Sequence, residues 1–279
     1  MSERAPLYLV ANVDRVKALG IHDLGEWTAK YEVPEFASFK VMSELQSEFP
    51  TKKILREDVT RLFREGRTYL AFVAAMVWGF IDASRPRVAK GGKATTNFYR
   101  ALSHNREEVV STIEYVRNEI LGGRVRSCFN ELRRGGRYNI PGIDYPYFTK
   151  LFFFLGQAVE SIQVKPLIFD KWTTNAFFAL LSQSRPEDVS KCFRGLRCST
   201  KPDSPGLALI RSGSVLASTY ESYIKDMNAW ASQLGVSPGK LEQFVFGMSL
   251  KNYKGSDNPR KELWGIGIAN ASRCGVVVR

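Results

Sequence analysis

The spacing of apolar residues along the chain predicts a mainly helical protein. In most patterned stretches the apolar positions recur every three or four residues, which places them on one face of a helix. Stretches with this period, or with a capping signal at their start, are 35–49, 56–81 (in one or two pieces), 106–121, 215–234 and 238–248. Residues 183–213 are rich in Pro, Ser, Arg and Gly and predict a long loop.

The helix over 106–121 has the clearest boundaries. Asn105 and Glu108 give it a start that is similar to a capping box, and Gly122-Gly123 ends it. The amphipathic pattern over 215–234 is equally regular. Its apolar residues, expected on the buried side, are Leu216, Tyr220, Tyr223, Ile224, Met227, Trp230 and Leu234.

Two polar residues stand at the starts of predicted helices in the middle of the chain. A Pro141-Gly142 turn precedes a helix that is predicted to open at Thr149-Lys150. Its apolar positions on one face are Leu151, Phe154, Leu155, Ala158, Val159 and Ile162. After a break at Pro166, Asp170 precedes a helical stretch over 173–181, where an N-cap role is worth roughly 1 kcal/mol.

This order of a Pro-Gly turn, Lys150 and Asp170 resembles the helix-hairpin-helix DNA glycosylases, and within them the oxidised-guanine branch. The resemblance covers about residues 60–250, and Trp78-Gly79 gives a second, weaker match. It implies two helical lobes around a cleft with a helix-hairpin-helix DNA-binding element. It also implies that Lys150 is the nucleophile and Asp170 the catalytic carboxylate.

These residue types suit the chemistry that the resemblance implies. Breaking the bond between a base and its sugar leaves positive charge on the sugar, which a carboxylate stabilises electrostatically. A neutral lysine amine can attack the sugar carbon and form a Schiff base. Burial and a helix N-terminus both disfavour an ammonium ion, so both are expected to lower the pKa of Lys150.

The candidate DNA-contacting residues are glycine, threonine and basic side chains near the predicted hairpin and in one earlier loop. They are Gly142, Thr149, Arg133, Arg134, Arg137, Lys90 and Lys93, with a further basic group at Arg194, Arg197 and Lys201. Trp172 is the candidate for contact with a flipped base. The hairpin departs from the usual pattern, since Asp144-Tyr-Pro-Tyr stands where a second glycine is expected.

Composition is compatible with a DNA partner. The net charge is +12 and the sequence pI is about 9.6, which favours a polyanionic partner such as nucleic acid.

The chain has four scattered cysteines and two histidines. These argue against a zinc site, an iron–sulfur cluster and a disulfide framework, so no metal and no cofactor is expected. The longest apolar run, 69–81, is too short to cross a membrane. We therefore expect a cytoplasmic protein without a nucleotide cofactor. The chain has no obvious counterpart to the small β-rich N-terminal domain of the eukaryotic oxidised-guanine enzymes, so the resemblance implies a compact prokaryotic or viral form.

The sequence divides into an N-terminal segment over 1–55, a glycosylase-like core over 56–250 with its hairpin and catalytic pair at 139–181, and a tail over 251–279 that packs on the core.

The predicted activity is excision of a modified base from DNA. The resemblance extends to compact anti-phage glycosylases, which implies glucosylated hydroxymethylcytosine as the base. The alternatives are an oxidised-purine repair glycosylase with lyase activity, a non-catalytic DNA-binding protein on the same fold, and a purely structural helical protein.

Overall fold

A computed structural model describes residues 4–20, 34–81, 96–193, 197–199, 206–208, 213–247, 258–275 and 277–278. Among these residues the regular elements are helices, apart from three short strands, so the prediction of a mainly helical fold is confirmed. The chain forms two compact units. The first consists of Met1–His22 with Leu167–Arg279, and the second of Asp23–Pro166.

The second unit is built around two buried helices. Its elements are α3 (Pro34–Ala37), α4 (Lys40–Glu48), α5 (Arg56–Arg64), α6 (Thr68–Trp78), α7 (Asn97–Leu102), α8 (Arg106–Leu121), α9 (Val125–Leu132) and α10 (Tyr145–Ala158). Every residue of α6 from Tyr69 to Trp78 is buried, and so is every residue of α10 from Phe148 to Gly156. The other helices of this unit cover these two, which places α10 in its core.

Several predicted boundaries in this unit are confirmed. The stretch from 56 to 81 forms two helices, α5 and α6, with the break at Gly66, whose φ is +73°. Asn105 caps α8 by accepting hydrogen bonds from the amides of Glu107 and Glu108. Gly123, with φ +69°, follows the end of that helix.

The first unit combines the two ends of the chain. Its elements are α1 (Leu7–Ala11), α2 (Val13–Ala18), α11 (Lys171–Ser184), α12 (Pro186–Cys192), β1 (Arg197–Ser199), β2 (Gly206–Ala208), α13 (Gly213–Leu234), α14 (Pro238–Phe246), α15 (Pro259–Ala271), a short 3-10 helix (Ser272–Cys274) and β3 (Val277–Val278). The seven apolar residues predicted on one side of α13 are all buried. Ser237 caps α14 through the amide of Lys240, as predicted.

One prediction for the first unit is wrong, and one of its helices was not predicted. The long loop predicted over 183–213 contains α12 and the strands β1 and β2, which pair in antiparallel fashion, while β3 pairs with β1 in parallel. The tail forms α15, which packs closely along α11. Gly267 allows this approach, because a Cβ there would already lie 3.4 Å from the ring of Phe178. A packing partner this distant in sequence leaves no local helical pattern.

None of the described helices is both long and apolar enough to cross a membrane.

Candidate active site

Lys150 is a buried lysine in the second turn of α10. The helix begins at Tyr145, with Asp144 as its N-cap, so the prediction that it opens at Thr149-Lys150 is wrong. The cause is Pro146, which is compatible with the first turn of a helix. The helix dipole acts most strongly in the first turn, and Lys150 therefore lies outside the region of its strongest effect.

Burial sets the surroundings of the Lys150 amine. The residue is 8% exposed, and its Nζ donates a hydrogen bond of 2.9 Å to the carbonyl oxygen of Pro146. The same Nζ lies 4.9 Å from the centroid of the Tyr147 ring. Burial of an amine disfavours its protonated form, which is the direction that a nucleophilic lysine requires.

Gly79 holds the stem of Lys150 in place. It follows α6, and a Cβ at this position would lie 2.5 Å from Lys150 Cδ and 2.8 Å from Cε. A glycine is thus the only residue that fits against the stem without displacing it. Trp78 packs edge-on against Phe154 of α10 at 5.1 Å, which brings the two helices together at this point. The Trp78-Gly79 pair therefore has a physical role in positioning Lys150.

Asp170 is the N-cap of α11, as the sequence predicts. Its Oδ1 accepts hydrogen bonds from the amides of Trp172 at 2.8 Å and Thr173 at 3.0 Å, and Thr173 returns a hydrogen bond to the backbone amide of Asp170. The capping box fixes the carboxylate relative to the helix. Within the described part of the chain, Oδ2 accepts no hydrogen bond, so one oxygen of the fixed carboxylate remains available to a ligand.

Buried polar groups lie beneath the N-terminus of α11. Tyr223 of α13 is fully buried, and the pKa of its hydroxyl lies well above its usual range. Burial is the largest cause, followed by the negative charges of Glu242 and Asp170. Tyr223 therefore stays neutral, and its ring centroid lies 5.3 Å from that of Phe169, the residue directly before Asp170.

Trp172 contacts a cation on one of its faces. The guanidinium of Arg260, at the start of α15, lies 4.1 Å from the centroid of the Trp172 ring, and Phe246 lies 4.9 Å from the same guanidinium. Lys171 lies 5.2 Å from the Trp172 ring. Trp172 is half-buried, and its contact with a base stays a prediction. Sequence reasoning missed Arg260, although Asn258-Pro259 is a readable helix start.

The hairpin turn before α10 has the geometry that its sequence dictates. The amide of Ile143 donates to the carbonyl of Ile140 at 3.0 Å, with Pro141 and Gly142 between them and φ of Gly142 at +88°. This is the pattern of a type II turn. A Cβ on Gly142 would lie 2.1 Å from the carbonyl oxygen of Asn97, so Gly142 is required by its conformation and by its close packing.

The other candidate DNA contacts have different surroundings. Arg133, Arg134 and Arg137 are exposed in the loop before the turn. Thr149 is fully buried, and its hydroxyl donates to the carbonyl of Tyr145 at 2.7 Å, which leaves its side chain no surface for DNA. The remaining candidates, Lys90, Lys93, Arg194 and Lys201, lie outside the described residues, and Arg197 is described only as part of β1.

The loop that carries the three arginines is fixed by its own contacts. Tyr138 stacks on Tyr115 with ring centroids 3.8 Å apart, and Asn139 donates to the carbonyl of Leu132 at 3.0 Å. Glu131 accepts a hydrogen bond from the amide of Arg137 at 3.2 Å. These contacts fix the backbone and leave the arginine side chains at the surface.

Comparison with known families identifies a match over most of the chain. The family described as "Putative 8-oxoguanine DNA glycosylase OGG-like protein" matches residues 23–246, which include Lys150, Asp170 and the turn at Gly142. No curated protein and no solved structure matches the chain. The match covers most of the chain and agrees with its helical fold. The chain therefore belongs to this OGG-like family of DNA glycosylases.

Proposed function

We propose that the protein excises a modified base from DNA and that Lys150 and Asp170 carry the reaction. The observation that best supports this is the burial of Lys150, which is 8% exposed as a residue and whose stem lies against Gly79. Lysine is seldom buried, and a buried amine loses its proton more readily than an exposed one, which a nucleophilic lysine requires. Asp170, capped through Oδ1, offers its second oxygen to a substrate.

The proposed reaction begins with attack on the sugar. The lone pair of the neutral Lys150 amine forms a bond to C1′ as the bond between C1′ and the base nitrogen breaks. The base leaves with that electron pair and gains a proton, while the amine loses one. Opening of the sugar ring then gives a Schiff base between Lys150 and C1′. Asp170 stabilises the positive charge that develops on the sugar.

A water molecule activated by Lys150 is the alternative nucleophile. In that mode the base is released, C1′ of the sugar gains a hydroxyl group from the water, and the strand stays intact. Trapping with borohydride distinguishes the two modes, because only a Schiff base is reduced to a stable link between protein and DNA. A trapped complex that disappears in Lys150→Gln establishes Lys150 as the nucleophile and implies lyase activity.

Two classes of base are proposed as substrates. Oxidised guanine is favoured by the description of the matched family. Glucosylated hydroxymethylcytosine, in phage DNA, is favoured by the resemblance of the Phe-Thr-Lys150 and Pro-Leu-Ile-Phe-Asp170 segments to anti-phage glycosylases. Excision of the glucosylated base would leave abasic sites in phage DNA and spare host DNA that lacks the sugar.

The experiment that tests the function is mass spectrometry of the bases released from three DNAs. One carries oxidised guanine, one glucosylated hydroxymethylcytosine, and one no modification. Release of oxidised guanine alone indicates repair, and release of the glucosylated base alone indicates phage defence. Binding without release from any of the three would contradict both substrate proposals and favour the non-catalytic alternative.

A further inference from the structure

The guanidinium of the half-buried Arg260 has few hydrogen-bond partners. Its Nε donates a hydrogen bond of 3.0 Å to the carbonyl oxygen of Phe246. Its Nη2 is buried and has no hydrogen-bond partner. In the described part of the protein, Arg260 forms no ion pair with a carboxylate. Arginine offers five N–H donors, and a buried donor without an acceptor costs free energy, so this arrangement calls for an explanation.

The surroundings of Arg260 hold its plane in a fixed orientation. Trp172 lies 4.1 Å from the guanidinium carbon and Phe246 lies 4.9 Å from it. Gly247, which ends α14 with φ +71°, leaves room for the backbone of Arg260, because a Cβ there would lie 3.0 Å from Arg260 Cβ. A guanidinium held between two rings presents its donors in one direction, which suits recognition of a planar or tetrahedral oxyanion.

Asp170 is close enough to Arg260 to influence it electrostatically. Burial lowers the pKa of the Arg260 guanidinium, and the negative charge of Asp170 opposes that decrease. Asp170 nevertheless uses its Oδ1 for the cap of α11 and accepts no hydrogen bond from Arg260. The first unit thus holds a cation beside the carboxylate without neutralising it through an ion pair.

We propose that Arg260 binds a backbone phosphate of the nucleotide on which Asp170 acts. This inference rests on the proposed function. If Asp170 lies against the sugar of that nucleotide, the phosphates joined to the same sugar come within reach of a side chain beside Asp170. A phosphodiester carries a full negative charge and therefore offsets the cost of a partly buried cation, whereas a neutral base carbonyl does not. Arg260 would then fix the sugar relative to Asp170.

The inference can be tested without knowing which base is excised. The probe is a duplex with one tetrahydrofuran residue, an abasic analogue, in which the phosphate on either side is replaced in turn by an uncharged methylphosphonate. Affinity is measured by fluorescence anisotropy as a function of salt for the wild type, Arg260→Gln and Arg260→Lys. Arg273→Gln is the matched control, because Arg273 is exposed and lies in the 3-10 helix that follows the other end of α15.

We expect the wild type to lose about tenfold in affinity when one of the two phosphates becomes uncharged. Arg260→Gln should lose a similar factor on the unmodified probe, with a salt slope lower by about one, and should not respond to that methylphosphonate. Arg260→Lys should recover part of the affinity, while Arg273→Gln should behave as the wild type. Thermal unfolding of each variant shows whether it is folded.

Two results would overturn the inference, and only one of them would also overturn the proposed function. If Arg260→Gln is folded and still responds to both methylphosphonates as the wild type does, Arg260 binds no phosphate, and the proposed function stands. If the wild type does not prefer the tetrahydrofuran duplex to an intact duplex, the proposed function fails and the inference fails with it.

Discussion

At the scale of single residues, Asp170 combines two roles that a pair of substitutions can separate. Its Oδ1 caps α11, and an asparagine caps a helix about as well as an aspartate does. We therefore expect Asp170→Asn to abolish base release while the free energy of unfolding changes by less than about 0.5 kcal/mol. Asp170→Ala should abolish release and also cost about 1 kcal/mol of stability. Urea unfolding, together with base release, checks both expectations.

DNA binding provides the control for this pair. Because the substitution to asparagine changes one atom at the end of a side chain, affinity for the tetrahydrofuran duplex should stay within a few-fold of the wild type. Full base release by a folded Asp170→Asn would show that the carboxylate is not required. An equal loss of stability in both variants would show that asparagine does not replace aspartate as the cap of α11.

Gly79 allows a prediction about the position of the Lys150 amine. A methyl group at residue 79 would lie 2.5 Å from Lys150 Cδ, so Gly79→Ala must displace the flexible lysine stem. We expect borohydride trapping and base release to fall about 10- to 100-fold, since displacement of a reacting group by about 1 Å has an effect of this order. The measurement is the single-turnover rate of base release from a DNA on which the wild type is active in the mass-spectrometry experiment.

Gly265→Ala is the matched control for Gly79→Ala. Nothing lies within 4 Å of a Cβ at Gly265, which stands inside α15, so alanine there should raise stability by about 0.5–1 kcal/mol and leave the rate unchanged. A Gly79→Ala variant with wild-type release would mean that Lys150 tolerates displacement and is not the nucleophile.

At the scale of elements, the turn before α10 is stabilised by a glycine that cannot be replaced. Gly142 has φ +88°, and a Cβ there would lie 2.1 Å from the carbonyl oxygen of Asn97. We expect Gly142→Ala to destabilise the protein by more than about 2 kcal/mol, through strain and a backbone clash. Gly123→Ala is the control, because Gly123 has φ +69° but open space around its Cβ, and strain alone should cost about 1 kcal/mol. Equal losses would show that the contact with Asn97 is relaxed at little cost.

A second prediction at the scale of elements concerns the place where α4, α5 and α6 meet. Glu48 accepts hydrogen bonds from Arg61 at 2.7 Å and from Arg67 at 2.6 Å, and these two bonds lower the pKa of its carboxyl below 4.5. Because the folded pKa is depressed, the stabilisation is complete above the unfolded pKa and is lost as the pH falls through the folded value. Glu48→Gln should cost about 1 kcal/mol at pH 7, since the pair is partly exposed.

The pH dependence of the unfolding free energy checks the direction of this effect. The difference in unfolding free energy between the wild type and Glu48→Gln should narrow steadily as the pH is lowered below 4.5, the reference pKa of the carboxyl. A difference that stays constant from pH 7 into the acid range would mean that Glu48 acts through packing and not through its charge.

The same elements show what the sequence could and could not predict. Regular amphipathic helices such as α8 and α13 were predictable, because their apolar spacing and their caps are local signals. The core helix α10 was misplaced at its start, since Pro146 is compatible with the first turn of a helix and the helix begins before it, at Tyr145. Helix α15 was missed because its burial depends on contact with α11, which no local pattern records.

The candidate site also has some features that the sequence could predict and others that it could not. Lys150 and Asp170 were found because their flanking segments carry a family pattern, which the family match over 23–246 contains. The contact between Gly79 and Lys150, and the stacking of Arg260 on Trp172, join residues that are far apart in the chain. Such contacts arise only when helices pack, so the sequence alone could not assign a role to Arg260.

At the scale of the whole molecule, the surplus of positive charge predicts how DNA binding depends on salt. With a net charge of +12, the protein should bind any duplex through counterion release. The exposed cluster of Arg133, Arg134 and Arg137 beside the hairpin turn is expected to contribute most. Replacing all three by glutamine lowers the net charge by three and should reduce the slope of log affinity against log salt by nearly three units.

A control with the same charge change separates contact from general attraction. Arg4, Lys225 and Arg273 are exposed, and replacing these three also lowers the net charge by three. If phosphates contact the hairpin cluster, only the first triple variant changes the salt slope strongly, while the second slows association slightly through weaker long-range attraction. Equal slopes in the two variants would assign DNA binding to the overall charge and leave the hairpin without a specific role. Anisotropy titrations between about 50 and 200 mM salt resolve the difference, since six to ten phosphate contacts change affinity by orders of magnitude over that range.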